Sequence, residues 1–186
     1  MRKKGEAFEI IRVGLILFAI TAVAALILAG VNKVTAPVIE EQRAQKKQEA
    51  MQKVLPEASE FKKLECEIPE GLCVTEIYES DAGFVVMASP KGYGGEISMV
   101  VGVDKNLTVT GISIISQSET AGLGAKCVDE EWQKQFVGKT ENVEVTKNGA
   151  NGNQIDAISS ATITSKAVTK GVNDSISAVK TIGGDK

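Results

Sequence analysis

Asp156-Ala157-Ile158-Ser159-Ser160-Ala161-Thr162-Ile163-Thr164-Ser165 leads at once into a segment whose apolar residues recur at helical spacing, Val168, Val172, Ile176 and Val179. That period predicts an amphipathic helix from about Ser165, packed by one stripe on a sheet. Small and hydroxylated side chains crowd its start, where free backbone N–H groups and the macrodipole favour negative charge, so a phosphate would sit well there. A Ser/Thr cap on an ordinary helix has the same local pattern, and the stretch alone does not separate the two readings.

Composition narrows the choice. The 186 residues include no histidine, which removes Ser–His and Cys–His nucleophile pairs, histidine metal ligands and haem attachment by Cys-x-x-Cys-His. No catalytic residue is assigned, and the hydroxyl stretch is read as carrying a phosphate-bearing group. A formal charge of −3 and 4% aromatic residues argue against nucleic acid as a partner. Cys66, Cys73 and Cys127 have no metal-ligand spacing, so no metal site is expected. Cys66 and Cys73 either close a small loop in an oxidising compartment or remain two buried thiols.

Between Arg12 and Lys33 the run Val13–Val31 carries no charge. As a helix it would be roughly 29 Å long, the thickness of a hydrocarbon core. Its length exceeds a signal-peptide core and its exit offers a poor cleavage site, so an uncleaved single-pass anchor is expected. Arg2, Lys3, Lys4 and Arg12 precede it, which places the N-terminus in the cytoplasm and the remainder outside. Ala22, Ala25 and Ala29 form a small-residue stripe suited to a second membrane helix. No ionisable residue lies within the span, so ion movement must occur elsewhere.

Residues 36–55, rich in Glu, Gln, Lys and Ala, predict a solvated helical stalk ended by Pro56. Beyond it β-branched runs at 74–79, 83–88, 96–103 and 107–115 predict an antiparallel sheet, with Asp104-Lys105-Asn106 as a hairpin turn. A helix at 130–137 carries Trp132 and Phe136 one turn apart as core plugs and stops at Gly138. Residues 143–146 and 154–158 predict strands flanking an Asn/Gly-rich turn at 147–153. The fold class expected is α+β: one N-terminal transmembrane helix plus a single extracytoplasmic domain with a mainly antiparallel sheet and flanking helices.

Two glycine loops, Lys91-Gly92-Tyr93-Gly94-Gly95-Glu96 and Glu119-Thr120-Ala121-Gly122-Leu123-Gly124, permit turns or the close approach of a flat ligand. Taken in order with Trp132-Gln133-Lys134-Gln135-Phe136 and the hydroxyl stretch, they make the chain resemble the FMN-binding domain family. Within that family it is similar to the G subunits of the Rnf electron-transport complex, which links ferredoxin and NAD. The resemblance covers roughly residues 83–180 and the N-terminal span. The C subunits of the sodium-pumping NADH:quinone reductase are similar too, but generally longer.

The resemblance implies FMN joined by a phosphoester to a threonine in a Ser/Thr-Gly-Ala-Thr pattern, which falls on Ser159-Ser160-Ala161-Thr162 and marks Thr162, with Thr164 as fallback. It further implies that Ser159, Ser160, Ala161, Thr164 and Ser165 surround the phosphate, with Lys166 offsetting its charge. Tyr93, Gly94, Gly95, Glu119, Thr120, Gly122, Leu123 and Gly124 are expected to border the ring or ribityl chain. The sequence departs from the family's commonest pattern at Ser160, usually glycine, and Ala121, usually proline. The change at Ser160 is expected to be tolerated. With no histidine or nearby lysine pair to activate a threonine and Asp156 the only local acid, attachment is assigned to a separate flavin transferase using FAD, with Asp156 serving that enzyme's recognition or its binding of a metal.

The organisation expected is therefore a cytoplasmic N-terminus at 1–12, a transmembrane helix at 13–31, a stalk at 32–56, an FMN-binding domain at 57–182 and a tail at 183–186. The function expected is electron relay, not a complete active site, alongside other subunits of a membrane ion-translocating complex. The competing readings are the quinone-reductase C subunit and a non-redox membrane-anchored binding domain whose serines and threonines only cap a helix.

Overall fold

The computed structural model describes residues 2–183, so residues 184–186 of the expected tail lie outside the described residues. The chain divides into two units, residues 1–44 and 45–186.

The described residues of the first unit lie within α1, Arg2–Val54. This is the one helix among the described residues long and apolar enough to cross a membrane. Leu15, Phe18, Leu26 and Leu28 are all 60–75% exposed, an arrangement suited to lipid and unfavourable in water. The hydroxyl of Thr21 donates to the carbonyls of Leu17 and Phe18, both at 3.0 Å, so it needs no outside partner.

The second unit is built on a five-stranded antiparallel meander, β1 (Lys62–Lys63), β2 (Val74–Glu79), β3 (Gly83–Ala88), β4 (Ser98–Asp104) and β5 (Val109–Ser116), in sheet order β1-β2-β3-β4-β5. β1 was not expected, and β4 and β5 begin two residues later than the sequence suggested. The β4–β5 turn forms as expected: Asp104 Oδ1 accepts the N–H groups of Asn106 and Thr108, both at 2.8 Å. α2 (Glu130–Gln133) ends sooner than expected and passes into a 3-10 turn at 134–136.

Both faces of the sheet are covered. On one, α3 (Thr162–Gly183) lays Val168, Val172 and Ile176 against Val86, Ile97, Met99 and Val101, each fully buried. The other corrects the sequence expectation: the end of the stalk is not solvated. Ala50, Met51, Val54 and Leu55 are 6% exposed or less and pack on Val85, Met87 and Val100. Gly102 and Gly111 are cross-strand partners that leave a hollow for the helix end. A Cβ on Gly102 would lie 2.5 Å from the Val54 carbonyl. Thr110 Oγ1 donates to that same oxygen, satisfying one carbonyl that a helix C-terminus leaves free.

β6 (Glu144–Thr146) and β7 (Gln154–Asp156) pair parallel as a separate two-stranded sheet. Residues 147–153 therefore cross back along the pair and do not close a hairpin. Cys66 is exposed, Cys73 half-buried and Cys127 buried, all as free thiols, so neither a bridge nor a pair of buried thiols forms at 66 and 73. Burial, then Asp174, pushes the Cys73 thiol up to about 12.

This topology delivers the site. Ser98 at the start of β4 faces Ser116 at the end of β5, which sets the loop entering β4 beside the loop leaving β5.

Candidate functional site

Those two loops and the N-terminus of α3 enclose a cavity of about 520 Å³. Tyr93 comes from the first loop and Glu119, Thr120, Leu123 and Gly124 from the second. Ser160, Ala161, Thr162, Ile163 and Thr164 come from the helix start. The lining carries no lysine or arginine. Three of its apolar side chains are held out of the core, Tyr93 at 72%, Leu123 at 42% and Ile163 at 55% exposed. An apolar rim around a cavity of this size suits a flat organic ligand.

α3 begins at Thr162, earlier than the apolar stripe indicated. Its bonding starts with Ser165 N–H to the Ala161 carbonyl at 3.0 Å, so the N–H groups of Thr162, Ile163 and Thr164 lie in the turn that has no intrahelical acceptors. Those donors and the helix dipole favour an anion at this end. Ser160, just before, is exposed and has φ +63°, the left-handed region that favours glycine. Serine here is therefore a strained fit, which its small size alone does not reveal.

Ser165 is fully buried; its hydroxyl donates to the Ala161 carbonyl at 3.0 Å and accepts the Ile158 N–H at 2.9 Å. It braces the turn from behind. Thr164 is 1% exposed and Thr162 is half-buried.

Glu119 is 8% exposed. One carboxylate oxygen accepts the Gly94 N–H at 2.9 Å and the other accepts the Thr164 hydroxyl at 2.5 Å. Its neighbour in the core, Cys127, is pushed up to about 11 by burial and then by the charge of Glu119, so the thiol stays neutral.

Not all the residues named from sequence line the cavity. Gly94 is packed on the second loop, where a Cβ would lie 2.1 Å from the Ser118 carbonyl, and Gly95 lies beside it. Gly122 serves a turn, with φ +76°. Ser159 is exposed outside the lining, and Lys166 borders a separate groove with Glu144 and Asp174. Asp156 lies on β7 with its N–H donated to Gln135 Oε1 at 2.7 Å and its carbonyl accepting Trp132 Nε1 at 2.8 Å. The Trp132–Phe136 motif thus anchors the strand that feeds the site, with Phe136 buried edge-on against Trp132. Ile163 was missed. Its signal was an apolar residue off the stripe of its own helix.

Residues 92–177 match the FMN-binding domain family and residues 1–54 match the RnfG N-terminal region. The chain is 43% identical to the G subunit of the Na(+)-translocating ferredoxin:NAD(+) oxidoreductase complex of Acetobacterium woodii, an alignment that covers 90% of each chain. The chain belongs to the RnfG family. A second RnfG relative, the G subunit of the proton-translocating ferredoxin:NAD(+) oxidoreductase complex of Clostridium ljungdahlii, is 34% identical over 88% of each chain. Among solved structures, the C subunit of the Na(+)-translocating NADH-quinone reductase from Parabacteroides distasonis superposes with a TM-score of 0.58 at 19% identity, covering 75% of this chain and 92% of that one. That likeness shows the fold, an antiparallel sheet with flanking helices.

The residues fit FMN on observations of the cavity itself. Its volume suits a ligand of that size, its rim offers apolar side chains for a ring, and its helix start offers N–H donors and hydroxyls for a phosphate. At that helix start the lining offers dipoles and no cationic side chain.

Proposed function

We propose that this chain is the FMN-carrying electron-transfer subunit of a membrane-bound, ion-translocating ferredoxin:NAD⁺ oxidoreductase, with the FMN phosphate esterified to Thr162. The observation that carries the proposal is the position of Thr162: it opens α3, lines the cavity of the FMN-binding domain, and belongs to the Ser159–Thr162 pattern.

FMN, when bound, supplies one- and two-electron chemistry that can connect a nicotinamide couple with one-electron carriers. The chain's own part is to hold and surround it. The first-turn N–H groups of α3 and the Ser160 hydroxyl receive the phosphate, while Tyr93, Leu123 and Ile163 shield the ring. Thr120 and Gly124 border the remainder. A free phosphate monoester carries up to two charges, whereas an ester to Thr162 carries one. In a lining with a carboxylate and no basic side chain the lower charge is the less costly to bury, which favours the covalent form. Tethering also prevents loss of cofactor to the outside medium.

The chain has no histidine and the lining no lysine to activate Thr162, which supports attachment by a separate flavin transferase with FAD as donor, recognising the segment that begins at Asp156. α1 anchors the chain in the cell membrane with the N-terminus cytoplasmic and the FMN-binding domain outside. Ala22, Ala25 and Ala29 meet another subunit's helix.

The experiment is production of the full chain with a flavin transferase, followed by in-gel fluorescence after denaturation and peptide mass spectrometry. Fluorescence survives denaturation and the added mass lies on the peptide containing Thr162. Full covalent loading of Thr162→Ala would refute the site, and a colourless wild-type chain would favour a non-redox anchored domain.

A further inference from the structure

We propose that Glu119 is a positioning residue for the flavin site: its carboxylate ties the Gly94 loop to the first turn of α3 through the Thr164 hydroxyl. The inference rests on the FMN assignment above and deepens it.

One carboxylate oxygen accepts the Gly94 N–H and the other accepts the Thr164 hydroxyl. Bonds to a charged acceptor are the stronger class and hold their partners to a narrow geometry. Burying a carboxylate is unfavourable unless it is satisfied, and here satisfaction requires both loops to be in place together.

The glycines nearby are explained by this carboxylate. A Cβ on Gly92 would lie 2.4 Å from Glu119 Oε1, and one on Gly124 would lie 2.7 Å from Oε2 and 2.6 Å from Thr164 Oγ1. Side chains at those positions would drive the carboxylate from its seat. Two glycines from different loops therefore form the slot for one acid, where sequence reading offered a turn or the approach of a ligand. Thr164 is two residues from Thr162 on the same turn, so the Glu119 bond fixes the turn that presents the attachment hydroxyl.

The test uses the full chain with Thr164→Val, which keeps the shape and removes the hydroxyl, and Thr164→Ser, which restores it. Thr169→Val is the control: Thr169 is equally buried on α3, but its hydroxyl donates to the Ser165 carbonyl. The first readout is amide exchange at Gly94 in chain made without the transferase, and the second is the rate of covalent FMN incorporation when the transferase and FAD are added. Thr164→Val raises Gly94 exchange and lowers the incorporation rate, each by about tenfold, the scale of one hydrogen bond to a charged group. Thr164→Ser stays within about twofold of wild type, as does Thr169→Val. Glu119→Gln, which keeps the size but removes one acceptor oxygen, slows incorporation as Thr164→Val does. Unchanged Gly94 exchange in Thr164→Val, or an equal slowing in Thr169→Val, overturns the proposal. If wild type itself takes up no flavin, the FMN reading fails, while Gly94 exchange still decides whether Glu119 ties the two loops.

Discussion

Removing residues 1–56 deletes the end of α1 from the sheet and should abolish independent folding of what remains. Met51, Val54 and Leu55 are 4%, 1% and 3% exposed, and burying side chains of this kind contributes about 1.5–3 kcal/mol each. Together they are worth about 5–9 kcal/mol, before counting Ala50 or the Val85, Met87 and Val100 surface that the deletion uncovers. The loss is comparable with a whole domain's stability of about 5–15 kcal/mol. Two fragments make the comparison, residues 45–186 and residues 57–186, each followed in urea through the single tryptophan, Trp132. The longer should unfold in one cooperative transition. The shorter should show none, or one at much lower denaturant, and Met51→Ala in the longer fragment should cost about 2–5 kcal/mol. An equal midpoint and slope for the two fragments would refute the reasoning, because the helix end would then be a passenger on the sheet.

Other perturbations test the site and its surroundings. Ser160→Gly relieves a left-handed φ of +63° and should raise stability by about 0.5–1 kcal/mol after the added chain entropy of glycine. That is a melting shift of roughly 2–3 °C by thermal scan, and a fall would show that the serine side chain contributes more than its backbone costs. Gly124→Ala places a Cβ 2.6 Å from the Thr164 hydroxyl oxygen and should cost about 1–3 kcal/mol, with reduced flavin loading read by fluorescence. Glu76 accepts hydrogen bonds from Lys47, Lys63 and Tyr78. Burial alone would raise its pKa, but those bonds outweigh it and hold the carboxyl at about 2, against an ordinary 4.5. The unfolded chain takes up the proton first, so the stabilisation is complete above about pH 4.5 and lost as pH falls toward 2. With the side chain 28% exposed the effect is on the order of 1–2 kcal/mol, and Glu76→Gln should flatten that acid limb in urea titrations.

Local chemistry made the site legible only in part. Thr162 and Ser160 were named through the family resemblance, since the hydroxyl stretch alone fits a helix cap as well as a phosphate site, and both line the cavity. The assignments that shifted concern where side chains point. Ser165 and Thr164 read like their exposed neighbours, yet helix periodicity turns both inward once α3 begins at Thr162. Lys166 faces another groove for the same reason. Ile163 escaped notice because an apolar residue between two threonines reads as core until the core stripe is seen to pass it by. The buried stalk end had a signal that went unused: β3, Phe84-Val85-Val86-Met87-Ala88, is apolar at every position, the pattern of a strand covered on both faces.

The linear order of residues was enough to determine the membrane-length apolar span, an antiparallel sheet, the amphipathic last helix and the hydroxyl-rich entry to it. Each depends on period or composition within a short window. The three-dimensional fold alone decided that the end of α1 covers the second face of the sheet and that β6 and β7 run parallel. It also decided that one buried carboxylate joins loops 25 and 45 residues away. Those features come from contacts between distant segments, whose energy exists only when the sheet register has brought them together, so no local pattern records them.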